Sequence, residues 1–207
     1  MNAATHGAQI RRPSPGRPEV TSHAAIERAA FELFAEKGFE RTTLDEIAAA
    51  VGVSRRALFR YYASKNDIPW GQFDQTLDGF RQLFNETSAD VSVADAVQQA
   101  VLAFNVFPDD AEPPHRERMR LILGTPALQA HSMLRYGEWR QVIAEYVAKR
   151  LGQTASDLIP RMAGHVSLAL AVTAYEAWLE NDEADLRALL VGALDGLRAY
   201  LLGAGAR

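Results

Sequence analysis

The 207-residue sequence contains no cysteine. That excludes a disulfide framework, a thiolate metal site and a cysteine nucleophile, and it fits a reducing compartment. A glycine-rich phosphate loop, a histidine pair at metal-ligand spacing and a serine elbow are missing as well. His115, His131 and His165 lie far apart in sequence, while Asp109, Asp110 and Glu112 sit between prolines like solvated turn residues. No catalytic residue, metal or cofactor is therefore expected, and the chain does not read as an enzyme. Long apolar runs are also scarce. No apolar stretch follows Met1, so no signal peptide is expected. The most apolar segment, Met162–Leu179, is interrupted by His165 and Glu176 and reads as a buried or partner-facing helix, not a membrane span. A cytoplasmic protein is the expectation. No alternating apolar pattern exceeds four residues, so strands are not expected.

What is present is a soluble composition, 48% apolar and 23% charged, on a length that suits one medium domain or two small ones. The charge is uneven. Residues 1–65 hold 10 Lys and Arg against 7 Asp and Glu, whereas residues 66–207 hold 12 against 19. The first third can face a polyanion while the remainder is repelled from one.

Residues 1–20 are rich in Gly, Pro, Ser and Arg, with three prolines in "RRPSPGRPEV", and predict a flexible basic arm carrying Arg11, Arg12 and Arg17. Order is expected from Thr21 or Ser22, either a possible N-cap. Ile26, Ala29, Ala30, Leu33 and Phe34 share one helical face, and Gly38 is a stop. "TLDE" at 43–46 has the form of a capping box, opening a short helix that Gly52 ends; Ser54 then caps a second short helix over Arg55–Tyr61. Two short capped helices around a glycine turn form a helix-turn-helix pattern. A longer helix is expected from Ser64 to Phe84, kinked at Pro69, which makes Pro69 a candidate hinge. Further helices are expected over Val93–Phe107, Arg116–Leu123, Pro126–Leu151, Ala155–Leu179 and Glu183–Leu202. The fold class is all-α with about nine helices, divided as a 1–20 arm, a 21–65 helix-turn-helix domain and a 66–207 ligand-binding and dimerisation domain.

The segment "VGVSRRALFRYY" gathers Arg55, Arg56 and Arg60 among aromatics in an acidic chain. At the start of a recognition helix, Arg55 and Arg56 can each donate two hydrogen bonds to a guanine edge, while Arg60 suits a phosphate. Thr42, Thr43, Ser54 and Lys65 are further candidate phosphate contacts, and Arg17 of the arm a minor-groove one. Leu58 and one or two of Phe59, Tyr61 and Tyr62 should pack against Phe34, Ile47 and Val53, leaving a tyrosine hydroxyl, of Tyr61 or Tyr62, for DNA. The blander reading is an arginine-rich solvated face.

"TTLDEIAAAVGVSRRALFRYYASKNDI" at 42–68 resembles the DNA-binding domain of the TetR family of transcriptional regulators. The resemblance implies a repressor that binds palindromic operator DNA as a dimer, with a divergent helical domain that binds a small effector. Phe59 stands where many relatives have Tyr, and Arg56-Ala57 where many have small or polar residues, so base preference is not carried over. The stretches 59–74, 104–123 and 125–151 are further similar to the TetR-type regulators associated with mycofactocin biosynthesis clusters. That narrower resemblance implies control of a redox-cofactor operon and a long-chain acyl-coenzyme A effector.

In the C-terminal part, Phe104, Phe107, Met119, Leu123, Met133, Tyr136, Trp139 and Trp178 are candidate walls of an apolar ligand tunnel, with ordinary core packing as the alternative. Arg116, Arg118, Arg120, Arg135 and Arg140 are candidate cations for coenzyme A phosphates, or else surface ion-pair formers. The last two helices are expected to dimerise through Leu168, Val172, Leu190, Leu194 and Leu197. A structural or DNA-binding helical protein without an effector is the alternative; a cavity would argue against it.

Overall fold

The computed structural model describes residues 21–108 and 110–203. The expected arm, with Arg11, Arg12 and Arg17, and also Asp109, lie outside the described residues. Among those residues the chain forms nine α-helices and no strand.

The first three helices are α1 (His23–Lys37), α2 (Leu44–Ala50) and α3 (Arg55–Leu58). Each begins at a side-chain cap, which satisfies amides that the first turn leaves without partners. Ser22 accepts from the Ala25 amide, Ser54 from the Ala57 amide, and Thr43 with Glu46 closes the expected capping box in both directions. Lys37 and the Thr43 hydrogen bonds pull the Glu46 carboxyl down to about 2. Gly52, at φ +69°, makes the turn into α3, a left-handed conformation that costs glycine little. Ile26, Phe34, Ile47 and Leu58 bury their side chains together, and Ile68 and Leu128 from further along the chain complete this cluster.

The connector differs from the expected single kinked helix. Lys65–Trp70 is a 3-10 segment with Pro69 inside it, Gly71 breaks the chain at φ +60°, and α4 starts afresh at Phe73 and runs to Glu86. Pro69 lacks the amide that a continuous α-helix would need there. Asp67 then anchors the segment to a later helix. Burial alone would raise its carboxyl, but the Ser64 hydroxyl, Arg135 and His131 hold it below its ordinary value.

The remaining helices are α5 (Val93–Phe104), α6 (His115–Gly124), α7 (Pro126–Leu151), α8 (Leu158–Glu180) and α9 (Leu186–Leu201). α5 stops three residues short of the expected Phe107; the Asn105 amide donates to the Val101 carbonyl at that end. Helices α4, α5 and α7 share a second core in which Phe80 stacks on Trp139 and Phe84 on Tyr146. α7 and α8 approach so closely at Gly164 that a Cβ there would lie 2.7 Å from the Arg140 carbonyl oxygen. α9 lies on α8, with Leu190 buried against Ala171 and Ala174.

Candidate functional site

Two sites emerge, a basic surface on α2–α3 and a cavity in the later helices. At the first, Thr43, Ser54, Arg55, Arg56 and Arg60 are all exposed. Arg55 reaches back to Asp45 at 3.1 Å and sits 5.6 Å from the Phe59 ring centre. Among the described residues, Arg56 and Arg60 form no ion pair. Phe59 is 45% exposed, so the aromatic left on the surface is a phenylalanine and not a tyrosine.

Four other candidates for this surface are engaged inside the protein. Thr42 is buried, and its hydroxyl donates to the Leu33 and Gly38 carbonyls. The Lys65 ammonium donates to the carbonyls of Phe39 (2.7 Å), Thr42 (2.9 Å) and Glu40 (3.3 Å). Tyr61 is half-buried with its hydroxyl on the Thr21 carbonyl. Tyr62 is buried with its hydroxyl on Glu27, and burial first and that carboxylate second push the phenol far above its ordinary value. As placed here, none of the four has a hydroxyl or ammonium free for a phosphate.

The cavity has a volume of about 360 Å³ and lies between the 69–73 connector, α6, α7 and α8. Phe104, Phe107, Met119, Leu123, Tyr136 and Trp139 line it as expected. Leu168 and Val172, expected at a dimer contact, line it too. Of the other expected tunnel residues, Met133 is 63% exposed on α7, and Trp178 packs against the wall residues Tyr175 and Met119 without lining the cavity itself. Arg120 is exposed, bonded to Asp182 at 3.4 Å.

A polar chain runs along one wall. His115 meets the Tyr175 hydroxyl at 2.8 Å, and that hydroxyl donates to Asn105 at 2.7 Å. The His115 ring stacks on Phe107, with 3.5 Å between centres. Burial, and then the nearby Arg118 charge, lower the His115 imidazole to about 3, so it is neutral at pH 7. Burial likewise raises the Tyr175 phenol well above its ordinary value.

At the end of the cavity nearest α1, Glu27 and Arg118 form an ion pair at 2.5 Å, and both line the wall. Arg118 is one of the arginines considered for coenzyme A phosphates, whereas Glu27 did not stand out as a cavity residue in the sequence. Glu27 had a signal: it falls between Ile26 and Ala30 on the apolar stripe of α1, where a carboxylate needs a partner. The other arginines considered for coenzyme A are engaged elsewhere. Arg116 bonds the Trp178 and Asn181 carbonyls and Asp182, and Arg135 bonds Asp67, Asp74 and Glu138. Arg140 faces a separate polar cleft with Arg161 and His165.

Of the expected dimer residues, Leu168, Val172 and Leu190 are thus used within the protomer, and Leu194 and Leu197 are half-buried. Exposed positions along the middle of the last two helices include the small or charged Ala169, Thr173, Ala188, Gly192 and Asp195, while the start of α8 exposes Leu158, Ile159 and Met162 and the end of α9 exposes Tyr200 and Leu201. Among the described residues, no helix is long and apolar enough to cross a membrane.

Residues 26–68 match the family described as bacterial regulatory proteins, tetR family, and residues 91–202 match the MftR C-terminal domain. A Mycobacterium tuberculosis protein named MftR, for transcriptional regulation of mycofactocin biosynthesis, is 44% identical over 90% of this chain and 94% of its own length. Among solved structures, the fatty acid degradation regulator FadR from Bacillus halodurans superposes with TM-score 0.61 at 20% identity, over 90% of this chain and all of that one. Thermus thermophilus FadR, solved in complex with lauroyl-CoA, superposes with TM-score 0.57 at 24% identity, over 90% of this chain and 96% of that one.

Proposed function

The chain belongs to the TetR family of transcriptional regulators, and from that premise we propose that it is a ligand-responsive repressor of mycofactocin biosynthesis genes. In this reading two copies hold a palindromic operator, and a long-chain acyl-coenzyme A in the cavity releases them. The target genes follow from the 44% identity to the M. tuberculosis regulator, which extends through the part of the chain where the 91–202 match also lies. The acyl-coenzyme A follows from the apolar walls and from the lauroyl-CoA held by a protein of the same fold. Action on DNA puts the protein in the cytoplasm.

The observation that carries an effector-responsive function is the cavity. Its volume of about 360 Å³ falls in the range of small-molecule sites, and its walls pair aromatic and aliphatic side chains with few polar groups. An effector-independent helical protein has no use for such a void, since unfilled apolar space costs stability. Arg55, Arg56 and Arg60 supply the DNA contacts, with Thr43 and Ser54 beside them. Arg56 and Arg60, without ion-pair partners among the described residues, reach bases or phosphates without breaking a pair seen there.

The test is a gel-shift titration of the full chain against DNA upstream of the mycofactocin genes, with and without oleoyl-coenzyme A. Tight, salt-sensitive binding that the acyl-coenzyme A weakens is expected. Binding indifferent to it would remove the acyl-coenzyme A effector, and no binding at low salt would remove these target genes.

A further inference from the structure

The cavity and the DNA-binding helices share one ion pair. Glu27 belongs to α1, Arg118 to α6, and both stand in the cavity wall. Their side chains are only 10% and 18% exposed, so water replaces a lost partner poorly for either charge. The pair is tied outward on both sides. The second Glu27 oxygen accepts from the Tyr62 hydroxyl at 2.7 Å, four residues past the end of α3. Arg118 donates its other terminal nitrogen to the Pro69 carbonyl at 2.6 Å, inside the 3-10 connector. Gly71 closes over the pair: a Cβ there would lie 3.2 Å from the Glu27 carboxylate and 3.3 Å from the Arg118 guanidinium. Three pieces of chain, namely α1, the connector and the segment after α3, are thus held to α6 through one guanidinium.

The hydrogen-bonding capacity at this wall is lopsided. Both Glu27 oxygens are occupied, one by Arg118 and one by Tyr62. Glu112, the other wall carboxylate, pairs with Arg28 on the outside at 2.9 Å. Arg118 carries five N–H donors, more than its two bonds consume. His115 is neutral, which leaves Arg118 as the cation among the cavity-lining residues. An incoming anion therefore finds donors it can take at once, whereas an incoming cation finds carboxylates already paired.

We infer that the cavity takes an amphiphile with an anionic end, and that this anion competes with Glu27 for Arg118, loosening α1 and the connector from α6. The inference rests on the ligand-responsive reading above and adds the residue that meets an anionic group of the ligand and transmits its presence. The apolar chain of the ligand lies along Phe104, Trp139 and Met119, and its anion reaches the end of the cavity nearest α1.

The experiment uses the full chain and three probes with one chain length and different ends: laurate, 1-dodecanol and dodecylamine, each below its micellar concentration. Binding is read from tryptophan fluorescence, because Trp70 and Trp139 line the cavity. Laurate is expected to bind at least about tenfold tighter than either other probe, the worth of one charge-assisted hydrogen bond. Glu27→Gln removes the competitor and keeps an acceptor for Tyr62, so laurate should bind that variant about tenfold tighter than the native chain. Amide exchange across residues 65–71 should speed up with laurate and not with dodecanol. Dodecanol or dodecylamine binding as well as laurate, unchanged or weaker laurate binding by the Glu27 variant, or unchanged exchange would each overturn the inference while leaving the cavity a ligand site. Should the variant fail to fold, the comparison of three probes on the native chain still decides. Binding of none of the three would overturn this inference, while the ligand-responsive reading stands or falls on the oleoyl-coenzyme A gel shift.

Discussion

Lys65 ends in a cage of three carbonyls, those of Phe39, Glu40 and Thr42, with the ring of Phe39 4.3 Å away. Its ammonium satisfies acceptors that the turn between α1 and α2 leaves open. Lys65→Met keeps the apolar stem and removes every donor, so it should cost about 1–3 kcal/mol of stability by orphaning those carbonyls. Urea unfolding monitored by circular dichroism measures it; a loss of DNA binding with no loss of stability would return Lys65 to the phosphate-contacting group. His115 makes the second prediction at this scale. Its folded value near 3 lies below the roughly 6.5 of an unfolded histidine. Stability from keeping it neutral is complete above pH about 6.5 and declines as the pH falls toward 3. Thermal melts between pH 7 and pH 4.5 should show that decline, and His115→Gln should flatten it; an equal slope in both proteins would contradict the burial of the ring. These residues also show what a sequence conveys at this scale. The caps at Ser22, Thr43 and Ser54 were legible because a cap acts within three positions of itself. The destinations of Lys65 and Tyr62 were not, since their partners are 23 to 35 positions away and periodicity names a face rather than a partner.

Two helical glycines set the prediction for elements, because their surroundings are opposite. Gly164 of α8 is pressed on the α7 backbone: an added Cβ would meet the Arg140 carbonyl oxygen at 2.7 Å, and a main-chain atom cannot rotate away. Gly164→Ala should force the two longest helices apart and destabilise the protein by about 1–3 kcal/mol. A Cβ at Gly192 of α9 meets nothing within 4 Å. Gly192→Ala should therefore stabilise the folded protomer by up to about 1 kcal/mol through helix propensity. Melting temperatures of the two variants should move in opposite directions from the native value, and movement in the same direction would contradict the packing of α8 between α7 and α9. Helices were the most legible elements, since α7 was bounded by Pro126 and Gly152 on the sequence and is bounded by them in space. The connector was the least. The apolar spacing of Trp70, Phe73, Leu77 and Phe80 continues across Gly71, so the pattern reads as one helix. The chain breaks there because a left-handed Gly71 lets the connector pass over the Glu27–Arg118 pair, a constraint imposed by other elements. Likewise the apolar positions of α8 fit a partner helix in either direction, and Leu168 and Val172 turned out to face the cavity.

For the whole molecule the governing fact is where the charge lies. Residues 66–207 carry seven more acidic than basic side chains, so only the N-terminal part has the sign to approach DNA. That split was plain in the sequence, whereas the cavity was not, because a void is a property of how four segments meet. A dimer doubles the approaching surface: if each protomer neutralises a given number of phosphates, the pair neutralises twice as many. The slope of log K against log salt follows that number at about 0.9 per phosphate. The small, exposed positions of α8 and α9 suit close contact between copies, and Gly192 is open on the protomer. Gly192→Arg should therefore leave the protomer folded while placing a bulky charge in the contact proposed between copies. The expected result is a monomer by light scattering, a salt slope about half that of the native chain, and a larger loss of affinity on a palindrome than on one half-site. A variant that remains dimeric with the native slope would move the contact away from this part of α9. A monomeric variant with the native slope would mean that one protomer already makes every phosphate contact, and the two-fold reading of the operator would fall.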